Sequence, residues 1–69
     1  MKKSIYTKLS MRERQILDVI LNKKEATVLE VLNNIPNPPS YSAVRALINI
    51  MEKKGYIKHR KVGSKYVYS

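Results

Sequence analysis

The 69-residue chain has no cysteine, no tryptophan and no phenylalanine, only two glycines, and five acidic residues against fourteen lysines and arginines. Without cysteine, neither a disulfide framework nor a thiolate zinc site can staple the fold. Below roughly 70–80 residues a core supplies only a few kcal/mol unless helices pack well, so modest stability is expected. No apolar run approaches the roughly 20 residues that span a bilayer, and the opening MKKSIYTKLS lacks the apolar segment of a secretory signal. These features predict a soluble, cytoplasmic protein with one domain over residues 9–69 behind a basic N-terminal tail at 1–8. A Gly-rich phosphate loop, a nucleophile elbow and a carboxylate pair are all missing, and the single histidine, His59, has no constellation of metal-ligating or catalytic partners. Neither an enzyme nor a cofactor or metal is expected.

What the chain has in excess is positive charge, and the excess is unevenly placed. Residues 1–24 carry a net +5, residues 25–52 a net −2, and residues 53–69 a net +6 with no acid at all. Both ends are positive and the middle is not. Clustering of this kind favours a polyanionic partner, because each phosphate that a cation neutralises releases condensed counterions.

Between the charged ends the sequence reads as three helices and a hairpin. Ser10 and Glu13 in SMRE form a capping box that opens the first helix, with Ile16, Leu17, Ile20 and Leu21 as its apolar face and Lys23 and Lys24 at its negative end. A second box, Thr27 with Glu30 in TVLE, opens a helix whose Val28, Val31, Leu32 and Ile35 share a side, and Pro36 ends it. The prolines of IPNPPS force an extended connection to Ser40, a natural cap for a third helix. In that helix Val44, Leu47, Ile48 and Met51 fall within an arc of about 100°, the core-facing stripe, and Gly55 supplies the left-handed residue that stops it. YIKHR and KYVYS, flanking the loop KVGS, read as two strands. A lone two-stranded hairpin is marginal in water, so this one must rest on the helices, with Ile57, Tyr66 and Tyr68 turned inward. Lys58, Arg60, Lys61 and Lys65 then project outward or at the tip. The fold class is α+β, mostly α: a winged helix-turn-helix with a two-stranded wing.

Opposite the core stripe of the third helix lie Ser42, Arg45, Ala46, Asn49 and Lys53, with Lys54 beside them. A helix that enters the major groove needs short side chains near its start so the backbone can approach. It also needs a guanidinium fork for guanine or an amide for adenine. Ser42, Ala43 and Ala46 meet the first requirement, and Arg45 and Asn49 the second. Tyr41 and Tyr56 are placed for backbone or base contact. Double-stranded DNA is the expected partner, and the reading requires Arg45 and Lys65 to lie on one side of the molecule. Two other readings compete: an interaction module docking an acidic protein, and a single-strand or RNA binder using the tyrosines.

Taken in order, LSMRERQIL, EATVLEVL, YSAVRALINIMEKKGYI and GSKYVYS resemble the penicillinase-repressor (BlaI/MecI) family of bacterial winged-helix regulators, over residues 9 to 69. The resemblance implies a repressor that binds an inverted-repeat operator as a dimer. It makes Ser40 the cap of the recognition helix, puts Ser42, Ala43, Arg45 and Ala46 at its DNA-facing start, and sets Thr27 near a phosphate. Lys58, Arg60 and Lys65 become wing contacts. The chain departs from the family pattern at Leu21, where many relatives have tryptophan, at Lys24, commonly glycine, and at Ile50, often arginine. Relatives continue past YVYS into a helical region that dimerises, so a monomer or weak dimer is the expectation for these residues alone.

Overall fold

A computed structural model describes residues 9–69; the basic tail read at 1–8 lies outside the described residues. The first helix, α1, spans Met11–Lys23. Its capping box is formed as the sequence predicts: the Glu13 N–H donates to Ser10 Oγ at 3.2 Å, and the Ser10 N–H donates to Glu13 Oε1 at 2.9 Å. Ile16, Leu17 and Ile20 are buried, and so is Glu13, at 6% exposure, because the box and the Lys54 ammonium 3.9 Å away satisfy its carboxylate. Leu21 corrects the sequence reading, since it is exposed rather than part of the core face. At about 100° per residue it lies some 40° beyond Leu17, outside the arc that the other helices cover.

α2 spans Val28–Asn34, opened by the Thr27 and Glu30 box and closed at Ile35, which is extended (φ −104°, ψ 149°) because Pro36 follows. The proline-rich turn is fastened back to α1 by the Arg12 guanidinium, which donates to the carbonyls of Pro36 at 2.8 Å and Asn37 at 3.1 Å.

α3 spans Tyr41–Lys53, and its Ser40 cap accepts from the Ala43 N–H at 3.2 Å. Val44, Ile48 and Met51 are fully buried, with Leu47 half-buried beside them. The Gly55 N–H donates to Glu52 O at 2.9 Å and the Tyr56 N–H to Met51 O at 3.0 Å, the paired bonds of a Schellman ending, with Gly55 at φ +84°.

The wing consists of β1, His59–Val62, and β2, Lys65–Tyr68, antiparallel, with His59 opposite Tyr68 and Val62 opposite Lys65. This register corrects the expected strands. The turn is the two-residue Gly63-Ser64 rather than all of KVGS, so Lys61 and Val62 join β1 while Tyr56 and Ile57 stay outside it. Gly63 at φ +61° with no positive φ at Ser64 fits the hairpin turn that needs glycine first.

Lys58 and Ser69 exchange two backbone bonds of 2.9 Å, so the next pair, His59 and Tyr68, bonds nothing across the hairpin. The Tyr68 N–H and C=O instead face outward and pair with Ala26 at 2.8 and 2.9 Å. The hairpin is thereby sewn to the segment between α1 and α2. Ile57 and Tyr68 close the core from the wing side, as expected, but Tyr66 does not: it is 48% exposed against 4% for Tyr68. Both tyrosines point to the same face, and Tyr66 lies two pairs nearer the tip, past the helices. Three helices followed by a two-stranded sheet make this a winged helix. Among the described residues no helix is long and apolar enough to cross a membrane.

Candidate nucleic-acid interface

Four of the side chains expected to face DNA, Thr27, Tyr41, Arg45 and Lys65, meet around one groove of about 420 Å³. It is lined by Thr27, Val28 and Leu29 at the start of α2, Tyr41 and Arg45 at the start of α3, and Ser64 to Tyr66 on the wing, with Tyr68 at its floor. Arg45 and Lys65 therefore share a groove instead of facing opposite sides. Local chemistry explains the convergence. The Ala26 and Tyr68 bridge draws the wing against the loop that delivers Thr27, and the Ser40 cap starts α3 where its first turn faces that loop.

The other predicted residues divide by position. Ser42, Ala46 and Asn49 are exposed on the outer face of α3, next to Arg45, with Ala43 half-buried at its flank. Lys53 is exposed too, but it sits about 18 Å farther along the helix axis than Tyr41. Lys54 lies at that far end and pairs with Glu13. Lys58 and Lys61 are exposed on the wing; Tyr56 packs against the core instead of standing free. Ile50 is exposed, leaving an apolar side chain on the helix edge.

Electrostatically the groove is positive, lined by Arg45 and Lys65 with no acid, and the acids nearest the wing are engaged. The Arg60 guanidinium donates to Glu25 through Nη2 at 2.8 and 2.9 Å and through Nε at 3.3 Å. The imidazole of His59 is hydrogen-bonded to the Glu52 carboxylate of α3 and lies against the rings of Tyr66 and Tyr68, with centroids 4.9 and 5.7 Å away. Glu30 ionises more readily than an ordinary glutamate, chiefly because its carboxylate accepts the Thr27 backbone N–H; Lys23 and Lys65 add to the effect. Burial pushes the Tyr68 phenol up, and Glu52 adds to the rise. Among the described residues no cluster of three or more metal-ligating side chains occurs.

Sequence reasoning missed Leu29, Tyr66 and the two acids that hold Arg60 and His59. Leu29, 55% exposed, carried a signal: it lies off the Val28, Val31, Leu32 stripe, so an apolar residue there has no core to enter. Glu25 lies 35 residues from Arg60, and nothing local in the chain foretells that pairing.

What the groove offers is a basic, half-apolar concavity beside a helix with short side chains, which suits a sugar–phosphate backbone bordering a readable base edge. No curated protein and no solved structure matches the chain. A family model described as penicillinase repressor matches residues 9–69, and the chain accordingly belongs to the penicillinase repressor family of DNA-binding transcriptional repressors.

Proposed function

We propose that the chain reads double-stranded DNA with α3 in the major groove and the wing on the adjoining backbone. Arg45 takes a base edge, with Asn49 as a second reader and Ser42, Ala43 and Ala46 allowing close approach. Thr27, Ser40, Tyr41, Lys58, Arg60, Lys61 and Lys65 hold phosphates or sugars, and Lys53 and Lys54 extend that contact along the helix. An inverted-repeat operator fits this mode of reading, since two copies would present two such helices one turn of DNA apart. The observation that supports the reading is the shared groove of Arg45 and Lys65. A phosphate contact from one and a base contact from the other need only a single duplex.

The test contrasts those two residues. Arg45→Ala should cost about 1–3 kcal/mol on a duplex selected from a random pool and relax discrimination at one base pair. Lys65→Ala should weaken selected and random duplexes alike and reduce the salt slope by about one. Gel-shift titrations at two salt concentrations read both. Equal, sequence-blind losses from Arg45→Ala would remove it from base reading.

A further inference from the structure

We propose that Glu52 and His59 are positioning residues that hold the wing against the recognition helix, and that uptake of a proton by His59 strengthens DNA binding. The proposal rests on the DNA reading above and adds to it a dependence on pH.

Glu52 is the one acid in α3, on a helix that is offered to a polyanion. Left uncompensated, its charge would repel phosphate. It lies within hydrogen-bonding reach of His59, the first residue of β1, so the same contact spans from recognition helix to wing. The Tyr66 and Tyr68 rings flank the imidazole, and both tyrosines line the groove that holds Arg45 and Lys65. A shift of His59 would therefore move the groove wall.

The charged and titratable groups around it are few. From α3 come Glu52 and, acting on the same Tyr68 phenol, Arg45 and Tyr41. From β2 come Tyr66 and Tyr68, and on the same face of β1 stands Lys61. Glu25, across the hairpin, is held by Arg60.

Imidazoles as a class change charge between about pH 5 and 8, where carboxylates have already ionised and phenols have not. Protonated, His59 forms an ion pair that cancels Glu52 and ties wing to helix. Neutral, it leaves a hydrogen bond and one extra negative charge beside the DNA. Affinity is thus full at the acid end of the range and is lost as pH rises through it. His59 is the only histidine and there is no cysteine, so few other groups in the chain can produce this profile.

Fluorescence polarisation of a labelled duplex at about pH 5.5 and 8.0 tests the idea. The unaltered protein should lose affinity about two- to five-fold across the interval, the size of one exposed ionic contact. His59→Gln, which keeps a donor, and Glu52→Gln should each flatten the profile. A DNA-free NMR spectrum of the His59 ring at one fixed pH supplies a second readout: Glu52→Gln should change its chemical shifts, because the carboxylate contact is lost. An unchanged pH slope in His59→Gln, or unchanged His59 ring shifts in Glu52→Gln, overturns the proposal. If the protein binds no duplex at any pH, the DNA reading itself fails, and the ring shifts distinguish that failure from a missing Glu52 contact.

Discussion

Glu25→Gln sets the stability of the wing against its affinity for DNA. In the folded chain three donor–acceptor distances of 2.8, 2.9 and 3.3 Å bind the Arg60 guanidinium to the Glu25 carboxylate. Both side chains are partly open to water, at 62% and 44% exposure. A pair that exposed contributes at most about 1 kcal/mol. Glutamine keeps the shape and one acceptor oxygen, so the melting midpoint should fall by only a few degrees, given about 4–8 °C per kcal/mol for a domain of this size. The effect on DNA has the opposite sign. Removing the carboxylate frees a guanidinium that Glu25 otherwise shares with phosphate, and up to one full further contact steepens the dependence of log affinity on log salt by at most about 0.9. Extrapolated from about 1 M down to 0.1 M salt, that slope amounts to a gain of at most roughly eight-fold in affinity. A circular-dichroism melt and a salt series of polarisation titrations on one duplex measure the two effects separately. If Glu25→Gln loses affinity in step with its stability and leaves the salt slope alone, Arg60 serves to brace the wing and does not reach phosphate.

Two backbone positions give further predictions. Lys24 caps α1 at φ +68°, a region that costs a side-chain-bearing residue about 1–2 kcal/mol, whereas glycine gives back roughly 0.5–1 kcal/mol in entropy. Lys24→Gly should therefore raise the melting midpoint by a few degrees while Lys24→Ala should not; equal effects would trace the gain to charge. At Gly55 (φ +84°) an added Cβ would meet nothing within 4 Å, so Gly55→Ala should destabilise by about 1 kcal/mol through backbone conformation alone. A loss several times larger in a thermal melt would mean that the Schellman ending itself had been lost.

Local chemistry made most of the fold readable in the chain. Ser10 with Glu13, Thr27 with Glu30, Ser40, Pro36 and Gly55 each act within a few residues of themselves, so the helix ends could be assigned from sequence. The errors arose where distant partners decide. Whether the hairpin turns over two residues or four depends on which pairs of β1 and β2 meet, and the register is anchored by Tyr68 reaching Ala26. Tyr66 was misplaced for a related reason: alternation identifies its face, but only the length of the supporting helices determines whether that face is covered. In the site, Arg45 and Lys65 could be named from charge and helical phase. Their closeness depends on the packing of three elements, and the acids that occupy Arg60 and His59 come from the segment between α1 and α2 and from α3.

The wing is thus held in three ways, two to the segment between α1 and α2 and one to α3. Backbone bonds tie Tyr68 to Ala26, an ion pair ties Arg60 to Glu25 just before it, and His59 is bound to Glu52 on α3. A free hairpin would have to be ordered when DNA arrived, and each long cation fixed at that moment would cost up to about 2 kcal/mol of side-chain entropy. Here the strands are ordered beforehand by contacts that do not involve the duplex, so most of the charge attraction is available for association. That arrangement also accounts for two acids placed so close to the wing. A carboxylate near a DNA-binding surface lowers affinity unless it is engaged, and both Glu25 and Glu52 are engaged by wing side chains that they also hold in place. The two acids can then be read as parts of the binding surface, and mutating either one should change how strongly DNA binds before it changes which sequence is chosen.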